Sequence, residues 1–320
     1  MWRCVLLIFS DSFIWILISG IFIGIGSAIF HPESGRISNL ASGGKLGLAQ
    51  SIFQTGGNLG AALAPLAVAL IVIPYSQKNL LWFIIAAAFG LVFLTKIAFW
   101  YKDYLEKSIS KNKTKKSTHN IDKRKVKLAL IILLVIVFSK FIYSASLSSY
   151  YTFYIIDKFN LTIQQAQFHM FIYLFAYMFG TIIGGPLGDK FGRNQIIWFS
   201  VFGATPFTLL LPYANLFFTD VLMIIIGVIM SSAFPAIIVY AQELIPQKVG
   251  MISGLFYGFA FGMAAVGSAL LGMLADYTSI QYVYQLCSFL PILGAVCFFL
   301  PKLKKIKVLH ISERVCQNEA

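Results

Sequence analysis

Long, uninterrupted apolar segments are the feature that most restricts the fold of this 320-residue chain. Such segments are about 20 residues or longer, which is the length that an α-helix needs to cross a bilayer. The strands of a membrane β-barrel would be about half as long and would alternate apolar with polar residues. The sequence therefore predicts an all-α polytopic membrane protein, a helical bundle with nine complete transmembrane helices. The predicted spans run approximately from Asp11 to Phe30, Leu46 to Val72, Leu80 to Tyr101, Val126 to Ile156, Ala166 to Leu187, Gln195 to Tyr213, Phe217 to Tyr240, Val249 to Ala275 and Ile280 to Leu300.

The overall composition agrees with lipid as the main solvent of the chain. Hydrophobic residues make up 58% and charged residues 12% of the sequence, and the mean hydropathy is +0.80. A soluble domain is just under half apolar and about a quarter charged. The four cysteines show no metal-ligand spacing and lie mostly in or against apolar runs, so we interpret them as buried thiols. We expect no metal and no cofactor.

The net charge of +13 would suit a nucleic-acid partner, but the positions of the cations favour a role in membrane orientation. With the predicted spans, 21 of the 25 lysines and arginines fall on one side of the membrane, and only Lys78 and Lys158 fall on the other. Cytoplasmic loops carry such an excess of cations. We therefore expect the Lys-rich linker and the C-terminus to be cytoplasmic, and we predict no nucleic-acid partner.

A polar stretch divides the chain into two membrane parts. Residues 102–125 are rich in Lys, Ser, Thr and Asn, which predicts a cytoplasmic linker. We expect residues 1–101 to be the remainder of an N-terminal half, residues 126–300 to form a C-terminal half of six helices, and residues 301–320 to be a basic cytoplasmic tail.

An internal repeat relates the two parts. The segment KLGLAQSIF, from Lys45 to Phe53, is similar to KVGMISGLF, from Lys248 to Phe256, at an offset of 203 residues. Six spans separate the copies, which indicates two related six-helix halves. The same offset places the start of the first half about 77 residues before Met1, which is room for three helices. We expect an N-terminally truncated chain that begins with the end of the third helix; the alternative is a nine-span protein that was never longer.

A glycine-rich charged segment, GGPLGDKFGRN, joins the fifth and sixth predicted spans on the cytoplasmic side. It resembles the loop signature G-x-L-x-D-R-x-G-R-R of the major facilitator superfamily (MFS), in which this loop acts as a gate latch. An ordinary charged turn is the alternative. Glu243, at another cytoplasmic helix end, is a candidate for the same gate or for a helix cap. The matching positions are Gly185, Leu187, Asp189, Gly192 and Arg193, whereas Lys190 replaces an arginine and Asn194 departs from the expected cation.

Four longer segments narrow the resemblance. They are GIGSAIFHPESGR, GLAQSIFQTGGN, FSKFIYSASLSSYYTFY and YAQELIPQKVGMISGLFYGFAFGM. They are similar to the fosmidomycin resistance family, a group of major facilitators that export drugs across the inner membrane. The resemblance implies twelve helices in the intact protein and efflux of a small phosphonate antibiotic or related anion, coupled to protons. The superfamily's antiporter motif has an arginine where this chain has Gly20, which argues against the usual antiporter route.

Lys140 is the substrate-binding candidate that the chemistry alone singles out. It lies near the middle of the fourth predicted span, where a charge costs at least about 2.5–3.5 kcal/mol, so it should face a wet cavity or a partner. Tyr143, Ser144 and Tyr151 follow at helical spacing, and we predict that they share one face with it. A cation with hydroxyl donors suits a phosphonate or carboxylate. The alternative is a structural lysine paired with a carbonyl or carboxylate of another helix.

The second predicted span carries three further polar candidates. Gln50, Gln54 and Asn58 are spaced at i, i+4 and i+8 and so share one helix face. They could bind substrate, or they could hydrogen-bond to neighbouring helices. Both readings remain open from the sequence.

His31 and Glu33 are the candidates for proton coupling. They end the first predicted span beside a proline, at the cytoplasmic face. A histidine titrates near neutral pH, and a glutamate could carry a proton. A polar cluster that merely terminates the helix is the alternative.

We carry two main hypotheses for function. The first is a drug and small-anion exporter of the fosmidomycin resistance type in the inner membrane. Its partners would be a small-molecule substrate, protons and membrane lipid. The second is an inactive remnant, because a cavity without its first three helices would lack much of one wall. A multi-pass membrane enzyme would need a cluster of His, Asp or Cys at one membrane face, which the sequence does not show, so we do not expect an enzyme.

Overall fold

A computed structural model of the chain describes residues 13–75, 77–111 and 123–301. Within them, nine helical segments are long and apolar enough to cross a membrane, which confirms the predicted all-α polytopic fold. We number these segments α1 to α9. They are α1 Phe13–Leu40, α2 Leu46–Val72, α3 Phe83–Lys111, α4 Lys123–Phe159, α5 Ile163–Phe191, α6 Arg193–Tyr213, α7 Leu216–Leu244, α8 Val249–Tyr277 and α9 Ile280–Phe299.

The helices around the predicted linker are longer than the apolar runs. Helix α3 continues to Lys111 and α4 begins at Lys123, so both ends of the predicted linker 102–125 are helical. Charged residues such as Lys and Glu end the part of a helix that can lie in the membrane. Because they are good helix formers, the helix itself continues. The middle of the predicted linker, the basic tail after Pro301 and the short N-terminal apolar segment lie outside the described residues.

Three of the segments are irregular, and prolines account for the breaks. In α6 the helix Arg193–Phe202 is followed by Thr205–Leu210 and a single tight turn. In α9 the helix Ile280–Cys287 is followed by the short helix Leu290–Leu293 and a final tight turn. A proline lacks the backbone N–H that continues a helix. Helix α2 ends in a wider turn, Val68–Val72, just after Pro65.

The described helices group into two compact units. The first contains residues 13–29, 70–75, 77–111 and 123. In its helix α3, no residue of the most apolar stretch is buried inside the protein. Apolar side chains such as Phe89 and Phe93 are accordingly exposed.

The second unit contains residues 30–69 and 124–301, and α7 lies at its centre. In the most apolar stretch of α7, 72% of the residues are buried, the highest share among the nine spans described. Glycines bring α5 against its neighbours: Gly180 and Gly184 meet the backbone of α7, and Gly185 meets Gly47 and Ser51 of α2. Such small residues let helices in a membrane pack backbone to backbone.

The helix bounds follow the predicted repeat. Shifting the C-terminal bound of α1, Leu40, by 203 residues gives 243, and α7 ends at Leu244. Two hydrogen bonds also join residues 203 positions apart, from Asn39 Nδ2 to Gln242 Oε1 and from Gln54 Nε2 to the Tyr257 hydroxyl. Repeat-related positions that touch one another are expected beside a pseudo-two-fold axis. These observations support the division into two related halves.

Candidate substrate and gating sites

Lys140 is a buried cation in the middle of α4. Only 5% of the residue is exposed, and its ammonium donates a hydrogen bond of 2.7 Å to the Ser200 hydroxyl of α6. Ser200 in turn donates to the carbonyl of Ile197, at 2.8 Å, which leaves its oxygen lone pairs for the ammonium. No ion pair of the described residues includes Lys140. An ammonium carries three donors, so the site has capacity for an anion that brings further acceptors.

Two cavities lie next to each other beside this lysine. The smaller has a volume of about 10 Å³, roughly the room for one water, and Lys140, Ser144 and Tyr177 are among its lining residues. The larger has a volume of about 160 Å³ and is lined by Asn58, Ala61, Ser144, Tyr173, Leu174 and Tyr177. Because Ser144 and Tyr177 line both, the cation stands beside a mostly apolar space in the second unit that a few polar groups also line.

The polar residues that were predicted to share a face with Lys140 lie in two different surroundings. Lys140 and Ser144 line the cavity, whereas Tyr143 and Tyr151 pack in a core cluster with Leu147. A helix turns about 100° per residue, so the row 143, 147, 151 lies only about 40° around the helix axis from the row 140, 144. The assignment of the two tyrosines to substrate binding therefore stays a prediction.

The polar face of α2 is also divided. Gln50 and Gln54 donate to the Tyr257 hydroxyl of α8, at 2.6 and 3.2 Å. Asn58 donates to the Thr181 hydroxyl of α5, at 2.8 Å, and lines the larger cavity. All three side chains thus make the interhelical hydrogen bonds that the sequence left as one alternative, and Asn58 is the member that also reaches the cavity.

His31 and Glu33 lie in different surroundings. The His31 ring lies among aromatic rings, with centroid distances of 5.2 Å to Tyr257 and 5.0 Å to Phe261. Glu33 forms an ion pair of 3.7 Å with Arg36, and both side chains are about half exposed. Exposed ion pairs of this kind contribute little to stability. The predicted role of these two residues in proton coupling stays a prediction.

A network of charges forms where α2, α5, α6 and α7 meet. The Asp189 carboxylate accepts hydrogen bonds from the backbone N–H groups of Gly47 and Leu48, at 3.0 and 2.9 Å. Arg193 donates to Asp189 at 2.9 Å and to Glu243 at 2.8 Å, so one guanidinium bridges two carboxylates. Helix α2 has no side-chain cap from its own N-terminus, and Asp189 supplies one from α5.

The other signature residues support this network. Gly192 has a φ of +110°, a conformation that favours glycine, and it is the single residue between α5 and α6. The predicted loop is therefore reduced to one residue, because the helix continues through Lys190. Gly185 provides the close approach to α2, where a Cβ atom would lie 2.6 Å from the Ser51 Cβ. Leu187 packs against the core, and the exposed Lys190 lies over the Phe191 ring.

Several functional candidates were missed in the sequence. Tyr257 and Ser200 gave no local signal, because their significance comes from partners far away in the chain. Asp220 did give one: it is the single acid within the predicted span Phe217 to Tyr240, and a carboxylate inside a membrane span is a functional candidate by default. It pairs with His169, at 2.7 Å between Asp220 Oδ1 and His169 Nδ1.

The cysteines and metal-binding residues are also described in part. Cys287 and Cys297 are buried free thiols, as predicted, while Cys4 and Cys316 lie outside the described residues. Within residues 13–75, 77–111 and 123–301, no three His, Cys, Asp or Glu side chains come together as a metal site would need.

A multi-pass helical bundle with a buried cation beside an internal cavity is the architecture of a membrane transporter, and the chain belongs to the Major Facilitator Superfamily. The model of that family matches residues 2–162 and, a second time, residues 129–314. Membership of this family implies that the chain transports small molecules.

Two relatives are similar over most of the chain. The fosmidomycin resistance protein of Escherichia coli (strain K12) is 53% identical over 298 residues, which cover 93% of this chain and 73% of that protein. The MFS-type transporter YfnC of Bacillus subtilis (strain 168), described as uncharacterized, is 42% identical over 306 residues, which cover 95% of this chain and 75% of that protein. The resemblance to the fosmidomycin resistance family that the sequence motifs indicated is confirmed.

Proposed function

We propose that this transporter exports small anionic drugs of the phosphonate class, with fosmidomycin as the representative, across the inner membrane in exchange for protons. The name of the relative from Escherichia coli supplies the substrate class. The burial of Lys140 without a carboxylate partner among the described residues is the observation that carries the proposal.

An anionic substrate is the partner that Lys140 lacks. A buried cation is costly unless it is paired and hydrogen-bonded, and insertion scales give about 2.5–3.5 kcal/mol for a lysine at the centre of a membrane helix. Ser200 satisfies one of its donors. A phosphonate has several acceptor oxygens and would take charge-assisted hydrogen bonds from the others.

The neighbouring cavity offers the remaining contacts. Ser144 and Tyr177 line both cavities, and Asn58 lines the larger one. Hydroxyl and amide groups in such a pocket fix the orientation of a ligand, while apolar walls remove its water. We propose Lys140, Ser144 and Asn58 as the substrate-binding set, with Gln50 and Gln54 holding the helix beside it.

We propose that the Asp189–Arg193–Glu243 network is the gate latch on the cytoplasmic side. This side is the one to which the excess of cations assigns the linker and the tail. The latch joins α2 to α5 through Asp189 and joins α6 to α7 through Arg193. Opening this side would therefore break charge-assisted hydrogen bonds, each worth about 1.5–3 kcal/mol.

Resistance of a drug-sensitive bacterium is the test. Expression of the chain from Met1 should raise the fosmidomycin concentration that the host tolerates, and Lys140→Met should abolish the gain while the protein stays in the membrane. Lys140→Arg keeps the charge and should retain part of it.

Lys248→Met is the matched control, because Lys248 is an exposed lysine at the start of α8 and should not matter. Full resistance with Lys140→Met would contradict the role of the lysine. The absence of any resistance from the unaltered chain, with the protein detected in the membrane, would favour the inactive remnant.

A further inference from the structure

A second group of titratable side chains lies in the second unit, away from Lys140. His169 of α5 and Asp220 of α7 form a pair with 2.7 Å between Nδ1 and Oδ1. The Tyr151 hydroxyl of α4 lies 3.5 Å from the same carboxylate oxygen. The side chains of His169 and Asp220 are 18% and 23% exposed, so neither is fully enclosed by the described residues. Neither residue belongs to the substrate-binding set or to the latch.

We propose that the His169–Asp220 pair is the proton-binding site that couples transport, and this inference rests on the proposed function. Both residues lie within the first two turns of their helices, at the end opposite the latch. A histidine ring nitrogen at hydrogen-bond distance from a carboxylate oxygen can share a proton with it. Ionisable residues inside membrane spans mark proton relays because they are costly to keep there.

Among the ion pairs of the described residues, none joins His169 or Asp220 to a lysine or arginine. Lys158 lies at the same end of α4, but its ammonium is held by the Tyr154 hydroxyl and by the carbonyls of Pro212 and Ala214. Asp157 accepts a hydrogen bond from Gln281. The titratable and charged side chains toward this end of the described helices of the second unit are His169 and Tyr173 on α5, Tyr213 on α6, Asp220 on α7, Asp276 and Tyr277 on α8, Tyr282 and Tyr284 on α9, and Tyr150, Tyr151, Tyr154, Asp157 and Lys158 on α4.

Contacts between tyrosines connect the pair to the substrate cavity. The Tyr151 and Tyr173 rings are 6.5 Å apart, and the Tyr173 and Tyr177 rings are 6.1 Å apart. Tyr173 and Tyr177 then line the larger cavity together with Ser144. Lys140 and Tyr151 are eleven residues apart on α4, which is about 16 Å along the helix axis. The proton and the anion thus bind at separate places on the same helices.

This arrangement explains how the two binding events can be linked. A proton on Asp220 removes the charge that His169 and the Tyr151 hydroxyl face, and so changes how α4, α5 and α7 are held together. The same three helices carry Lys140, Tyr177 and Met230 beside the cavity. Coupling requires an element whose conformation both ligands bias, and these helices meet that condition. In each cycle a proton would enter from outside water and leave to the cytoplasm.

The test compares two kinds of transport by the purified full chain in liposomes, with radiolabelled fosmidomycin as the probe. Exchange of labelled for unlabelled drug without a pH gradient needs the anion site alone, whereas accumulation driven by an imposed pH gradient also needs the proton site. Asp220→Asn should keep exchange within about threefold of the unaltered chain and reduce gradient-driven accumulation to the level without a gradient (threefold is under 1 kcal/mol). His169→Gln should likewise keep exchange and lose gradient-driven accumulation, and it serves as a second variant if Asp220→Asn does not fold.

Asp157→Asn is the matched control, since Asp157 is an exposed acid of α4, and it should leave both activities unchanged. Normal gradient-driven accumulation in both variants would overturn the inference. Equal loss of exchange and accumulation in a folded variant would overturn it too, because the pair would then serve structure or substrate binding. Failure of exchange in the unaltered chain would instead overturn the proposed function.

Discussion

Ser200 is a buried hydroxyl whose role depends on the charge beside it. It accepts the hydrogen bond from Lys140 and is itself fully buried. A buried donor that loses its partner costs more free energy than the hydrogen bond contributed, and a charged donor costs more still. The stability of this part of α6 is thus tied to the lysine that we assign to the substrate.

We predict that Ser200→Ala lowers the free energy of unfolding in detergent by about 1.5–3 kcal/mol. Ser139→Ala is the control, because Ser139 is equally buried but donates only to the neutral carbonyl of Leu290. It should cost about 1 kcal/mol. The measurement is thermal unfolding of the two purified variants without ligand. An equal effect of the two substitutions would show that Lys140 does not depend on Ser200.

Charged residues were the part of the site that the sequence could reveal. Lys140 stands out because a charge within an apolar run is rare and costly. Asp189 and Arg193 stand out because their spacing matches a known signature. Their partners could not be found in the same way: Asp189 accepts from Gly47 and Leu48, more than 140 positions away, and local sequence carries no trace of that pairing.

Glycines determine how closely α5 approaches α7. A Cβ atom at Gly184 would lie 2.5 Å from the Ser232 Cα, and that backbone has no room to move within two packed helices. At Gly188, one turn further along α5, the nearest atom would be the Ala236 Cβ at 3.6 Å, an ordinary contact. The two positions thus differ in packing although both are helical glycines.

We predict that Gly184→Ala separates α5 from α7 and lowers the unfolding temperature markedly, with a cost of about 1–3 kcal/mol from overpacking. Gly188→Ala should be neutral or slightly stabilising, since alanine favours a helix by up to about 1 kcal/mol over glycine. The measurement is thermal unfolding of both variants in detergent. If Gly184→Ala proved as stable as Gly188→Ala, the close packing of these helices would be contradicted.

Helix existence was easier to predict than helix boundaries. Every predicted span corresponds to a helical segment, because a long apolar run in lipid must satisfy its own backbone hydrogen bonds. The ends were less accurate where charged helix formers continue the helix beyond the membrane, as at Lys111 and Lys123. Pro206, Pro212 and Pro291 could have predicted the breaks in α6 and α9, but the spans were predicted from hydropathy alone.

At the scale of the whole molecule, the distribution of cations predicts the orientation of every span. The short connections alternate between a basic face and a face with almost no cations, as the positive-inside rule requires. Lys248 lies on the basic face, and Tyr277 lies at the opposite end of the same helix, with 85% of its surface exposed. These two positions therefore report both ends of α8.

We predict that a cysteine placed at Tyr277 reacts with a membrane-impermeant maleimide in intact cells, because the distribution of cations assigns this end of α8 to the outside. A cysteine placed at Lys248 should react only after the membrane is opened. The background for both is a chain in which Cys4 and Cys316 are replaced by serine, since the other two cysteines are buried. The reverse pattern of labelling would contradict the assigned orientation and, with it, the assignment of the latch to the cytoplasmic side.

Binding of fosmidomycin to the purified transporter tests the central claim most directly, which is that the buried Lys140 ammonium holds the anion. Equilibrium binding of the labelled drug should be saturable. Lys140→Met should weaken it by about 10- to 100-fold, the loss of one charge-assisted hydrogen bond, whereas Lys248→Met should leave it unchanged. Binding of equal strength to the unaltered chain and to a folded Lys140→Met variant would contradict the account.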